Sequence, residues 1–244
     1  ALASTTDVGI YDQALKLVNI LLTLVTSLGS VMLPRVSNLL STGDKKSVNR
    51  MNQLSFLIYN LVIFPTIAGM LIINNDFVKF FLGKDFQEAK YAIAIMIFRM
   101  FFIGWTNIMG IQILIPHNKN KEFLTSTTVP AIISIGLNLL LLPEFGYIGA
   151  AIVSVLTEVL VWVIQLYFTR KYLKDVPIFK STVKIFLASI LMYVALSFLK
   201  SILTFTPIVN VVVCAIVGAI LYGLLILIFK VVSLKEIKEQ LLNN

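Results

Sequence analysis

Long apolar stretches dominate this sequence and constrain its fold more than any other feature. Seven segments are each about as long as the roughly 20 helical residues that cross about 30 Å of hydrocarbon. They cover residues 11–36, 53–74, 91–115, 122–142, 147–168, 182–199 and 207–229. Turn-forming residues separate them, as at Pro143–Gly146 between the fourth and the fifth. The pattern predicts an all-α membrane protein with about seven transmembrane helices.

Composition agrees with a chain whose main solvent is lipid. Hydrophobic residues make up 58% of the sequence and charged residues 13%, and the mean hydropathy is +0.93. A soluble domain carries about 25% charged residues. The net charge is +8, but its cations fall in short clusters between apolar runs, which favours membrane topology over a nucleic-acid partner. The single cysteine, Cys214, excludes an intrachain disulfide and a cysteine-based metal site.

The distribution of Lys and Arg predicts which way the spans run. Seven crossings alternate sides, and fourteen of these cations fall on one side against four on the other, with Lys16 and Arg99 inside helices. Cytoplasmic loops carry the excess of positive charge in membrane proteins. We therefore expect the first residues of this sequence outside and its last residues in the cytoplasm. Residues 233–244 alternate apolar and charged positions and predict a cytoplasmic amphipathic tail.

The first predicted helix carries polar residues along its whole length. Spacings of three and four place them within an arc of about 80°. They are Asp12, Lys16, Asn19, Thr23, Thr26 and Ser30. We call this set the α1 polar stripe. It predicts either the lining of an aqueous cavity or a helix contact through small hydroxyls, in which Asp12 pairs locally with Lys16.

Arg99 and Glu158 are charged residues in the interior of predicted spans, where charge is costly. Helical rise puts Arg99 about 12 Å and Glu158 about 16 Å from the ends of their helices. A guanidinium matches the geometry of phosphate or carboxylate, so an anionic ligand and an ion pair with Glu158 are both interpretations of Arg99. Thr106 shares a face with Arg99, and Gln165 shares one with Glu158, which adds both to the candidate cavity residues.

Chemistry-bearing motifs of enzymes are missing from the sequence. It has no phosphate-binding glycine loop followed by Lys and no His, Cys and carboxylate cluster at metal-ligand spacing. We therefore predict a transporter rather than an enzyme, with no catalytic residues and no metal.

Two stretches resemble a known family. They are VGIYDQALKLVNILLTLVTSLGSVMLPRVS, from Val8 to Ser37, and GYIGAAIVSVLTEVLVWVIQ, from Gly146 to Gln165. Both are similar to polysaccharide (Wzx-type) flippases of the multidrug/oligosaccharidyl-lipid/polysaccharide exporter superfamily. The resemblance implies the C-terminal half of a two-lobed MATE-like or MurJ-like bundle. It also implies that an N-terminal half of the same chain is missing from this fragment.

The resemblance implies a flippase that moves undecaprenyl-pyrophosphate-linked oligosaccharides across the bacterial cytoplasmic membrane by alternating access, for surface polysaccharide biosynthesis. Arg99 and Lys16 would then meet the pyrophosphate. No cofactor is implied, and a proton or cation gradient or the membrane potential would drive transport. The alternatives are a small-molecule exporter of the same superfamily and a non-transporting assembly subunit. The implied layout is a lobe over 1–173, two additional helices over 174–232, and the tail.

Overall fold

The computed structural model describes residues 4–202 and 206–231, except for the side chains of residues 24, 25 and 27–31. This part of the chain is helical and contains no strand. Its elements are α1 (Thr5–Ser41), α2 (Lys45–Phe81), α3 (Ala89–Met96), α4 (Arg99–Thr106), a π-helix (Asn107–Leu114), α5 (Asn120–Leu173), α6 (Phe179–Ile202) and α7 (Pro207–Ile228). The predicted cytoplasmic tail lies outside the described residues.

Each of the seven predicted segments coincides with helix, which confirms the all-α membrane class. Five helical stretches in the described part are long and apolar enough to cross a membrane: α2, the run Ala89–Leu114, α5, α6 and α7. The helix α1 is not among these five. With 54 residues, α5 holds two predicted segments, and a break at Gly146 separates them.

The break in α5 depends on glycine. Gly146 has φ 50° and ψ −132°, a conformation that side chains with a Cβ rarely adopt. A Cβ there would also lie 2.7 Å from the Asp7 Oδ1 atom, because the start of α1 packs against the break. The Tyr147 amide donates a hydrogen bond of 3.4 Å to the same carboxylate. The predicted turn at Pro143–Gly146 is thus a sharp break inside one long helical element.

The third predicted span is irregular, where the sequence pattern predicted a single helix. Three pieces follow one another: α3, then α4 after a short turn, then the π-helix. Along this irregular span, two glycines lie very close to side chains of neighbouring helices. Gly104 lies against Ile63 and Tyr59 of α2, and Gly110 lies against Phe123 and Gln165 of α5. A π-helix of this length is rare and is most often found at functional sites.

Three apolar clusters hold the described helices together. The largest joins α1, α2, the irregular span and α5. Two smaller ones join α2 to α6 and α7, around Met192 and Cys214 and around Ile185 and Ile226. The helices α6 and α7 therefore attach through α2. The predicted layout of a lobe over 1–173 and two further helices over 174–232 stays a prediction.

Contacts between loops and helix ends show which of them lie together at each end of the bundle. At one end Asp7 meets Tyr147, Asn74 meets Lys90, and Lys200 meets Asp76. At the other, the His117 ring packs against the Tyr172 ring in a tilted contact. The Lys184 ammonium donates to the Phe229 carbonyl oxygen at that same end. This grouping matches alternating spans. The placement of the cation-rich end in the cytoplasm stays a prediction.

Candidate functional site

A largely buried ion pair links α4 to α5. The Arg99 Nη2 atom donates to the Glu158 Oε1 atom over 3.3 Å. The two side chains are only 15% and 20% exposed. Arg99 is the first residue of α4, directly after the turn that ends α3, so the irregular span is what directs it toward α5. The structure confirms that these two residues pair, and the role of the pair stays open at this point.

The guanidinium of Arg99 keeps unused hydrogen-bonding capacity. Its Nε and Nη1 atoms are buried and have no partner among the described residues. A cation with one long charge-assisted bond is only partly compensated, because burial of the other two nitrogens carries a solvation cost that this bond does not offset. These two nitrogens are the Arg99 donors that would be left for an anionic partner.

Aromatic rings surround one side of this pair. Trp162, one turn beyond Glu158 on α5, contacts Phe101, Phe102 and Trp105 of α4 at centroid distances of 6.2, 5.8 and 6.3 Å. The Trp105 indole donates to the Asn60 amide oxygen of α2 over 2.9 Å. These rings exclude water from the α4–α5 contact and fix the direction of α4 relative to α2.

An apolar groove adjoins the same rings. It has a volume of about 610 Å³ and lies between α2, α4 and α6. Its lining includes Phe64, Phe101, Trp105, Phe186 and Tyr193. Phe101 and Trp105 therefore contact the groove on one side and Trp162 on the other.

The α1 polar stripe lies on the exposed side of its helix. Ile10, Ala14, Val18 and Leu22 form the opposite, buried face. Lys16 bonds Asp12 over 2.7 Å, with side chains 63% and 49% exposed. Asn19 and Thr23 are also exposed. The local Asp12–Lys16 pair that the sequence predicted is confirmed, and the exposed stripe remains available to water or to another polar surface.

Other stripe residues bond within their own helix. Thr23 and Thr26 donate to the carbonyl oxygens of Ile20 and Leu22. The Ser30 side chain is outside the described part. Among the described side chains, no hydrogen bond or ion pair joins the stripe to Arg99 or Glu158. The structure therefore places the two predicted groups of cavity residues at separate positions.

Thr106 and Gln165 lie in packed surroundings. The Thr106 hydroxyl donates to the Ile103 carbonyl oxygen, and its side chain is buried. The Gln165 amide nitrogen donates to the Ser126 hydroxyl over 3.1 Å, while its buried Oε1 atom has no partner among the described residues. Both residues belong to the interior beside the π-helix rather than to the exposed surface that carries the stripe.

Two features escaped the sequence reasoning. The Lys200 ammonium lies 2.6 Å from Asp76 and donates to the Ile72 carbonyl oxygen over 2.8 Å, which joins α6 to α2. Gln112 of the π-helix is fully buried, and neither of its amide atoms has a partner in the described part of the chain. Lys200 and Asp76 are both visible as charged residues in the sequence. Their ion pair was not predictable, because it depends on α6 lying next to α2.

Comparison with known proteins adds a family match. The family model described as lipid II flippase MurJ matches residues 1–213. An uncharacterized membrane protein of Methanocaldococcus jannaschii is 27% identical over 93% of this chain and 45% of its own length. A putative O-antigen transporter of Escherichia coli is 28% identical over 69% of this chain and 40% of its own length.

A probable flippase of Haloferax volcanii, AglR, is 24% identical over 99% of this chain and 51% of its own length. A solved structure of lipid II flippase MurJ in an inward closed conformation superposes with a TM-score of 0.79 at 18% identity. That match covers 91% of this chain and 47% of the other. The chain thus spans about half, or less, of the length of the relatives it matches.

Proposed function

Because this chain belongs to the lipid II flippase MurJ family, we propose that it forms one lobe of a flippase for lipid-linked oligosaccharides. The cargo would be an undecaprenyl-pyrophosphate-linked repeat unit used for surface polysaccharide. Two relatives named as an O-antigen transporter and a probable flippase support this cargo class. The remainder of a protein of their length would supply the second lobe.

One observation carries the proposal: α4 bears a largely buried cation, Arg99, and also lines an apolar groove with its aromatic residues. The two unpaired nitrogens of Arg99 suit the pyrophosphate oxygens. The groove, which meets the same aromatic cluster, suits an isoprenoid chain. A lipid with an anionic headgroup needs both environments at once, whereas an exporter of drugs or small cations would favour carboxylates over a cation in its cavity. This arrangement favours the flippase over the small-molecule exporter.

The α1 polar stripe supports alternating access. An exposed row of Asp12, Lys16, Asn19 and Thr23 on a helix of a membrane bundle requires water or polar protein opposite it. We propose that it faces the cavity between two lobes and contacts the glycan, with Lys16 near the pyrophosphate in one state.

The proposed cycle requires no cofactor. A proton or cation gradient, or the membrane potential, would supply the free energy. Moving one elementary charge through 100 mV is worth about 2.3 kcal/mol.

The test distinguishes two roles for Arg99: binding the cargo, and forming a purely structural ion pair with Glu158. Removing one partner of a buried ion pair leaves the other uncompensated and can unfold the protein, so single variants alone are ambiguous. We therefore compare Arg99→Gln, Glu158→Gln and the double variant in the full-length protein. Surface polysaccharide is measured in a complementation assay at matched expression.

We expect Arg99→Gln to lower transport roughly 10- to 100-fold, the equivalent of one hydrogen bond to a charged group. The double variant should stay as inactive as Arg99→Gln, because the cargo has lost its cation. Lys79→Gln, an exposed cation at the end of α2, serves as the control and should be active. Recovery of wild-type polysaccharide in the double variant would assign Arg99 a purely structural role.

A further inference from the structure

A second basic pocket lies at the cation-rich end of the bundle, apart from Arg99. Its volume is about 190 Å³. The residues that matter for its chemistry are Lys119, Glu122, Tyr167, Phe168, Arg170 and Lys171. Three cations and one carboxylate give it a net positive charge. Arg170 is about 18 Å along α5 from Glu158, so this pocket is separate from the proposed cargo site.

The fold of α5 assembles this pocket from its two ends. Lys119 immediately precedes α5, and Arg170 and Lys171 lie in its last turn. The break at Gly146 reverses the helix direction and brings these ends together. In the sequence they are about fifty residues apart, which is why no local pattern predicted a common site.

Aromatic rings position the cations at this end. The Arg170 guanidinium lies 4.4 Å from the centroid of the Tyr167 ring, and the Lys171 ammonium lies 4.8 Å from that of Tyr172. Neither cation forms an ion pair with a carboxylate of the described residues. Cation–π contacts hold a charge in place without neutralising it. Both groups therefore keep their attraction for an anion.

Lys119 is partly compensated by its neighbour. Its ammonium lies 2.9 Å from the Glu122 carboxylate, and the hydrogen bond it donates there raises the pKa of Lys119. The side chain therefore stays charged. Glu122 opposes anion binding at the same time, so it limits the affinity of the pocket.

We propose that this pocket binds the headgroup of an anionic glycerophospholipid from the leaflet at this end of the bundle. Tyr167 is exposed beside the cations, and Leu124 is exposed on the first turns of α5. Tyrosine side chains are enriched at the level of the lipid headgroups, because the ring contacts the acyl chains while the hydroxyl contacts water. Basic pockets between helices on the cytoplasmic side attract anionic headgroups. The apolar surroundings favour a lipid over free phosphate.

The experiment measures binding of dihexanoyl-phosphatidylglycerol to the full-length protein in a neutral detergent, by microscale thermophoresis. The test variant replaces Lys119, Arg170 and Lys171 with Gln. The matched control replaces Lys45, Lys46 and Arg50 with Gln, because these three exposed cations lie near the start of α2, on the same predicted side. Both variants lose three charges. Inorganic phosphate and dihexanoyl-phosphatidylcholine are the ligand controls.

We expect the test variant to bind phosphatidylglycerol at least roughly tenfold more weakly. The control variant should bind it as the wild type does. Glu122→Gln should bind several-fold more tightly, since it removes the opposing charge. If both triple variants bound phosphatidylglycerol equally weakly, the loss would be due to net charge alone, and the proposal would be overturned. Displacement of the lipid by millimolar phosphate, or equal binding of phosphatidylcholine, would overturn the assignment to an anionic lipid.

Discussion

At the scale of single residues, charges inside this bundle are paired across helices. Lys200 of α6 and Asp76 of α2 are 28% and 10% exposed, and the same ammonium also donates to the Ile72 carbonyl oxygen. Asn210 donates to Asp76 over 3.5 Å and brings α7 to the same point. The cluster therefore fastens both C-terminal helices to α2 at one end.

We predict that Lys200→Met lowers the free energy of unfolding by about 1–3 kcal/mol, because it leaves the Asp76 carboxylate buried without its cation. Thermal unfolding in detergent, followed by circular dichroism, measures the change. Lys79→Met is the matched control, since Lys79 is exposed near the same end of α2. A surface change of this kind stays within about 0.5 kcal/mol. Equal melting temperatures for both variants would contradict a fastening role.

Sequence reasoning reached some of these residues and missed others for a definite reason. Helical rise placed Arg99 and Glu158 at matching depth, and the structure confirms their ion pair. The spacing of four between Asp12 and Lys16 was enough for a local pair. Lys200 and Asp76 could not be matched in this way. Their contact depends on α6 packing against α2, which periodicity does not encode.

At the scale of elements, close helix contacts at glycines shape the irregular span. A Cβ on Gly110 of the π-helix would lie 2.7 Å from the Phe123 ring and 3.0 Å from the Gln165 amide nitrogen. Both neighbours belong to α5. Gly136, also on α5, has nothing within 4 Å of the same position. The two glycines therefore provide a matched pair for substitution.

We predict that Gly110→Ala destabilises the protein by about 1–3 kcal/mol, because the added methyl group displaces the α5 contact. Gly136→Ala should be neutral or stabilise by up to about 1 kcal/mol, since alanine has the higher helix propensity. Unfolding of the two variants is compared in the same detergent. If Gly110→Ala were as stable as Gly136→Ala, the close approach of the π-helix to α5 would be wrong.

Element positions were the most predictable part of this fold. Each apolar run in the sequence became helix, and the glycine at 146 ended the fourth run as turn chemistry indicates. The irregularity of the third span was not predictable. Its hydropathy is continuous, and the close contacts of Gly104 and Gly110 in this span are with side chains of α2 and α5, which hydropathy does not encode.

At the scale of the whole molecule, two surfaces of the described bundle remain to be explained by a partner. The α1 polar stripe is exposed on a helix whose other face is buried. The apolar groove between α2, α4 and α6 is open, and α4 also carries Arg99 of the Arg99–Glu158 pair. A two-lobed flippase carrying an anionic lipid accounts for both. A non-transporting assembly subunit accounts for the stripe as a helix contact and leaves the groove to bilayer lipid, but it gives the Arg99 nitrogens no anionic partner.

The most direct measurement of this account is transport by the full-length protein in proteoliposomes. A fluorescent lipid-linked oligosaccharide is placed in one leaflet, and its arrival in the other is detected by a lectin that cannot cross the bilayer. We expect the labelled lipid to cross much faster than in protein-free liposomes. The Arg99→Gln, Glu158→Gln double variant should lose this transport. Movement no faster than in protein-free liposomes, under each imposed gradient, would contradict the proposed flippase.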